Sequence, residues 1–232
     1  MQRHIFILLL SLLCIAPALA ANPQVEFQTN QGSFVVELYP EKAPKTVVNF
    51  LEYVHNNFYP GTIFHRTINR FMIQGGGFTT ELKDKTSSSS NIGDRIAGDS
   101  NDNLLLPPIP NESNNGLKNE RGTLAMARSF EPDSATSQFF INLNDNKFLN
   151  FYKSDPHYIG YCVFGKVIRG MEVADRIGEL PTKVVGKQDH VPLQPVFIEK
   201  VALLENPVDA SPPESIKQPK SSKSVIKGKK RG

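Results

Sequence analysis

The stretch Phe64-His65-Arg66-Thr67-Ile68-Asn69-Arg70-Phe71-Met72-Ile73-Gln74-Gly75-Gly76-Gly77 sets two arginines, a histidine and a glutamine among five large apolar residues and ends on three glycines. From Ile63 to Ile73 its β-branched and aromatic content reads as strand. A strand with one buried face keeps charge off that face. Here an arginine and a glutamine stand beside an apolar surface, which points to a binding site. The glycines are followed by neither Lys-Ser/Thr nor a helix start, so they are not a phosphate loop. They read as backbone freedom for a tight bend.

Outward from this run the chain is mostly strand. Val25 and Phe27, then Phe34, Val36 and Leu38, alternate with polar residues across Asn30-Gln31-Gly32, the pattern of an opening hairpin. From Pro44 the apolar set Val47, Val48, Phe50, Leu51 and Val54 fits a helix with proline in its first turn. Residues 78–121 are rich in Ser, Asn and Pro and read as a long loop. Leu124–Ala127, Gln138–Leu143, Val163–Ile168 and Val196–Leu203 are further strands, and Met171, Val173, Ala174 and Ile177 mark a second helix. Many short strands with few helices predict a closed or nearly closed β-barrel with flanking helices.

The two ends differ in composition. Gln2-Arg3-His4 precedes an apolar run from Ile5 to Ile15, and Ala16-Pro17-Ala18-Leu19-Ala20 closes it with small residues. That layout is a secretory signal peptide over residues 1–20 rather than a membrane anchor, because the run falls short of ~30 Å of hydrocarbon. Cys14 lacks the small residues a lipoprotein site wants before it. Cys162, the other cysteine, lies in an apolar strand and reads as buried packing. Residues 207–232 hold seven basic and two acidic residues, net +5; with Arg3 and a whole-chain charge of +3, residues 21–206 carry 3 − 5 − 1 = −3. The domain is thus mildly acidic and is followed by a basic tail whose composition is that of a disordered segment. The tail's charge suits an anionic surface or nucleic acid; a solubilising or trimmed tail is the preferred reading.

Five scattered histidines lack companion cysteines or an acidic pair, so no metal cluster is expected. No nucleophile-elbow motif supports a Ser–His–Asp site. No cofactor is implied. Phe64-His65-Arg66-Thr67-Ile68 with Phe71-Met72-Ile73-Gln74-Gly75-Gly76 resembles the signature of the cyclophilin family of peptidyl-prolyl isomerases. Gly122–Ala127, Ser137–Ile141 and Val163–Val167 match that family in the same order, over roughly residues 23–204. Ala127-Arg128, Asp145–Leu149 and Gly160-Tyr161 resemble its exported bacterial subgroup.

The resemblance implies a mainly β fold: a closed eight-stranded antiparallel barrel capped by two α-helices, occupying residues 21–206, with the substrate on an outer face. It implies that Arg66 is catalytic, that Phe71, Met72, Phe140 and Leu149 form the pocket for the proline ring, and that Gln74, Ala127, Arg128 and Gln138 contact the peptide backbone. Phe148 and Tyr161 are also placed among the substrate-binding residues; Phe148 stands where many eukaryotic cyclophilins have tryptophan, and without an indole N–H, cyclosporin binding is expected to be weak. Tyr161 stands where they have histidine, and its ring still walls the pocket. Residues 84–106 look like an insertion. Arg70 is expected to be exposed, His65 to be a hydrogen-bonded structural residue, and Phe64 and Phe139 to face the core. The implied activity is X–Pro isomerisation in proline-containing peptides and unfolded exported proteins. A monomer is expected in the periplasm, with release from the cell as the alternative. A peptide-binding chaperone or adhesion module on the same barrel is the competing reading.

Overall fold

The computed structural model describes residues 21–85 and 106–205. The signal-peptide reading (1–20), most of the 84–106 insertion and the basic tail therefore lie outside the described residues. Among the described residues, ten strands and two α-helices run in the order β1 (Gln24–Thr29), β2 (Gly32–Leu38), α1 (Pro44–His55), β3 (Thr62–Ile68), β4 (Met72–Thr79), β5 (Thr123–Met126), β6 (Phe139–Asn142), β7 (Val163–Arg169), α2 (Met171–Glu179), β8 (Thr182–Val185), β9 (Gln188–Pro192) and β10 (Ile198–Leu203).

Eight of the strands form one sheet ordered β10-β1-β2-β7-β5-β6-β4-β3. Every neighbouring pair in it is antiparallel. The end strands meet: Ile63 bridges Phe197, the Phe64 amide donates to the Val196 carbonyl at 2.8 Å, and the Gly61 amide to the Ile198 carbonyl at 2.9 Å. Closure satisfies backbone groups that an edge strand would leave unpaired. The barrel is filled with phenyl rings. Phe27 stacks on Phe34 at 4.8 Å, and Phe139 meets Phe27 at 5.3 Å and Phe64 at 6.0 Å. Each such ring, fully buried, stabilises the fold by about 1.5–3 kcal/mol.

The helices lay their apolar stripes on this core, Val47, Phe50 and Tyr53 from α1 and Val173, Ala174 and Ile177 from α2. Helix α1 has no side-chain cap of its own, and Pro44 occupies its first turn. Glu112 supplies the cap from a distant loop: its carboxylate accepts from the Lys45 amide at 3.2 Å, the Thr46 amide at 2.8 Å and the Thr46 hydroxyl at 2.7 Å. That anion at a helix N-terminus also pins the loop.

Two sequence expectations are corrected and one element is new. The segment Ile63–Ile73 is a hairpin, turning at Asn69-Arg70, with Arg70 at φ 56° and the Phe71 amide donating to the Ile68 carbonyl at 3.0 Å. No glycine marks this turn, so composition alone concealed it. The glycines do not make a terminal bend but lie inside β4. Thr62 pairs with Thr79 and Phe64 with Gly75, so β4 spans four residues where β3 spans two. This bulge places Gly76 at φ 83°. Finally, β8 and β9 form an unforeseen hairpin joined through Gly186 at φ 59°; its many exposed polar residues carry little strand signal.

Candidate active site

The bulged β3–β4 pair explains how an arginine follows a core phenylalanine. In an unbroken strand, residues two apart share a face. The register shifts again between Phe64 and Arg66, which pairs with Gln74. Phe64 therefore fills the barrel, while Arg66 opens onto the outer face. The same ladder continues from Gln74 to Phe140 and from Phe140 to Ala125. Phe139 and Phe140 point to opposite sides, into the barrel and out to the groove.

Met72, Ala125, Phe140 and Val163 form a second buried apolar cluster on that outer face, edged by Phe71, Leu149 and Tyr161 among others. Above it is a cavity of about 220 Å³ lined by Arg66, Phe71, Met72, Gln74, Ala127, Arg128, Phe140, Leu149 and Tyr161. Nine residues drawn from separate segments thus converge on one hollow. Gln138 lines an adjoining depression with Gln74, Ala127, Arg128, Ser129, Ser134 and Thr136. A 3.0 Å hydrogen bond from Gln74 Nε2 to Gln138 Oε1 links the two. Phe148 stands outside the cavity, 74% exposed, and stacks on Phe71 at 5.6 Å.

Arg128 occupies the rim between the two hollows, but it also holds the protein's own backbone. Its Nε donates to the Gly160 carbonyl at 3.0 Å, and its Nη1 to the Ser129 and Phe130 carbonyls at 2.9 and 3.1 Å. The guanidinium lies 4.8 Å over the Tyr161 ring, which in turn packs edge-on against Phe140 at 5.6 Å. Tyr161 is thereby fixed as a wall.

The walls also rest on buried asparagines that sequence reasoning missed. Asn142 Nδ2 donates to Asn119 Oδ1 at 3.1 Å, and Asn146 Nδ2 donates to Asn142 Oδ1 at 2.7 Å. Asn146 also donates to the Phe71 carbonyl at 2.9 Å, and Asn119 to the Leu149 carbonyl at 3.0 Å. Two cavity walls are thus hung from one polar network, which resists rearrangement because each member satisfies another. The only signal in the sequence was asparagine next to strand residues, which otherwise reads as loop.

His65 is buried and packs on Phe78 at 4.6 Å. Burial, reinforced by the Arg66 charge, pushes its pKa down to about 4, against an opposing pull from the Ile63 carbonyl. It is neutral at neutral pH. The hydrogen bond expected of a structural His65 is the one to the Ile63 backbone, while its Nδ1 has no hydrogen-bond partner among the described residues. Arg70 is exposed, as expected. Cys162 is buried 3.5 Å from the Thr46 hydroxyl, and burial pushes its thiol up to about 11.

The profile of the family described as cyclophilin type peptidyl-prolyl cis-trans isomerase/CLD matches residues 24–203. The chain belongs to the cyclophilin family. A peptidyl-prolyl cis-trans isomerase of Acinetobacter baylyi is 51% identical over 203 residues, covering 88% of this chain and 96% of that one. Peptidyl-prolyl cis-trans isomerase B of Escherichia coli is 48% identical over 181 residues, 78% of this chain and 99% of its own. Among solved structures, a cyclophilin type isomerase of Cryptosporidium parvum determined in the presence of the dipeptide Ala-Pro superposes with a TM-score of 0.59 at 27% identity, over 79% of this cyclophilin and 99% of that chain. The eight-stranded barrel and its two helices are the cyclophilin architecture expected from the resemblance.

Proposed function

We propose that this peptidyl-prolyl isomerase rotates X–Pro bonds in the outer cavity, with Arg66 stabilising the twisted amide. Amide resonance sets a barrier of ~18–20 kcal/mol to rotation. Lowering it requires no nucleophile, only tighter binding of the twisted amide than of either planar form. Twisting frees the lone pair of the prolyl nitrogen. A guanidinium donates to that nitrogen only in the twisted state, and its planar donors also reach the proline carbonyl. Phe71, Met72, Phe140 and Leu149 receive the ring, and Tyr161 walls it. Gln74, held by Gln138, and Ala127 fix the backbone register, with Arg128 shaping the rim. Phe148 supports the cavity from outside by stacking on Phe71.

The observation that carries this reading is that Arg66 opens onto the same cavity as the apolar residues Phe71, Met72, Phe140 and Leu149. A cavity of about 220 Å³ has room for one ring and its peptide bond. The neighbour determined with Ala-Pro supports a dipeptide of that size as the core ligand. The test is exchange of a short proline peptide with wild type and Arg66→Ala. Acceleration by wild type and its loss in a folded Arg66→Ala variant is the expected result. Full activity in the variant would overturn the role of Arg66, and an inactive wild type would favour the chaperone or adhesion reading.

The clients are proline-containing segments of exported proteins in the periplasm, a reading supported by the layout of residues 1–20. Cyclosporin binding is weak for want of an indole N–H at Phe148, and the protein acts as a monomer. Residues 207–232, net +5, serve solubility; retention on anionic vesicles that vanishes with their deletion would instead assign them a surface.

A further inference from the structure

Leu149 and Tyr161 both wall the proline cavity, and the Tyr161 amide donates to the Leu149 carbonyl at 2.9 Å. Between them the chain makes an excursion that isomerisation itself does not use. Its backbone closes on itself: the Tyr152 amide donates to the Tyr158 carbonyl at 2.9 Å, and the Tyr158 amide to the Asp155 carbonyl at 2.8 Å. This turn presents rings to solvent. Tyr152 is 79% exposed and Tyr158 51%, and Phe130 from the facing loop is 61% exposed. The rings touch in a row, with Phe130 against His157 at 5.2 Å, His157 against Tyr158 at 6.4 Å, and Tyr158 against Tyr152 at 6.1 Å. Scattered exposed aromatics are ordinary, but a contiguous row marks a contact surface.

The row is continuous with the cavity. Arg128, on the cavity rim, donates to the carbonyls of Phe130 and Gly160 and lies over the ring of Tyr161. Within the turn, Asp155 lies 3.4 Å from His157 and 3.8 Å from Lys153, whose ammonium lies 4.5 Å over Tyr158. Lys153 covers one face of Tyr158, but most of what the row exposes is the ring surface of Phe130, Tyr152 and Tyr158, which suits an apolar side chain rather than a charged one.

We infer that the shelf Phe130–His157–Tyr158–Tyr152 extends the substrate groove and holds an aromatic or large aliphatic side chain of the client, outside the X–Pro pair. The inference rests on the isomerase reading of the cavity. Its occupant is the same polypeptide chain, because the shelf begins where the cavity walls end. In a folded client such a side chain is buried, so the shelf biases the enzyme towards unfolded segments. Aromatic contacts of this kind, about 0.5–1.5 kcal/mol each, correspond to roughly 2- to 13-fold in affinity.

The experiment compares wild type, Phe130→Ser/Tyr158→Ser and Tyr152→Ser on a short capped X–Pro peptide, a long peptide carrying tryptophan or leucine away from the proline, and the same long peptide with serine there. Denaturant midpoints confirm folding. Wild type is expected to prefer the long apolar peptide over its serine twin, and the variants to lose that preference, roughly fivefold in kcat/KM, while turning over the short peptide at the wild-type rate. Equal response of all three peptides would overturn the shelf. So would a concentration-dependent dimer that the double variant abolishes without changing kinetics, since that assigns the rings to a second copy. Failure of wild type on the short peptide removes the isomerase reading and the shelf with it, an outcome distinct from both.

Discussion

Adjacent glycines in β4 do different work, and substituting each by alanine separates packing from chemistry. A Cβ on Gly76 would lie 2.8 Å from Phe139 and 2.9 Å from Tyr59, two ring systems buried in the barrel. Its backbone also sits at φ 83°. A left-handed conformation costs an L-residue about 1–2 kcal/mol. Overpacking a close-packed core costs about 1–3 kcal/mol more. Gly76→Ala is therefore expected to lose about 2–5 kcal/mol of stability. The three atoms nearest a Cβ on Gly77 would all belong to the Gln138 side chain, the first at 2.5 Å. Because Gln138 Cγ itself is 2.5 Å away, relief requires a different χ1 rotamer of Gln138, and that rotation breaks its bond to Gln74. The loss of one hydrogen bond, about 0.5–1.5 kcal/mol, is expected in kcat/KM rather than in unfolding, because the broken bond is in the groove. Urea unfolding of both variants, with parallel kinetics on a proline peptide, checks the pair. Equal destabilisation by the two substitutions, or a neutral Gly76→Ala, would refute the packing argument.

His65 makes stability depend on pH. Its folded pKa is lowered to about 4 from 6.5, so the unfolded chain binds the proton first. Stability is full above pH 6.5 and falls as pH drops towards 4, by about 2–3 kcal/mol at its lower end; denaturant midpoints across that window should show the slope in wild type and not in His65→Gln. Asn142→Ala opens the network beneath Phe71 and Leu149 and should cost about 1–3 kcal/mol, with KM rising more than kcat falls; an unchanged KM in a destabilised variant would leave the network purely structural. On the proposed role of Phe148, Phe148→Trp supplies an indole N–H and should tighten cyclosporin binding roughly 2- to 13-fold by calorimetry, whereas no change would refute that role.

The barrel was legible because apolar residues alternate at Val25 and Phe27 and at Phe34, Val36 and Leu38, and the other strands are short β-branched and aromatic runs. The hairpin inside Phe64–Gly77 was not, because Asn69-Arg70 turns without a glycine. Three glycines look alike in a string and suggest a bend, whereas their neighbours in space differ and make them a bulge. Periodicity alone could not say which of Phe71, Met72 and Phe140 serve the groove; the family resemblance did, and the cavity gathers all three with Arg66. The asparagine network escaped notice because Asn119, Asn142 and Asn146 are distant in sequence from the walls they hold. Arg128 was read as a peptide contact, yet its donors organise two loops, a role that only the fold reveals.

The central claim is that Arg66 acts on the twisted amide and not merely on bound peptide. Arg66→Lys keeps the charge but removes the planar fork. Exchange of a proline peptide measured by NMR at saturating peptide isolates turnover from affinity. Turnover is expected to fall at least about tenfold, with peptide affinity changed little. Undiminished turnover, or a loss wholly explained by weaker binding, would contradict the account.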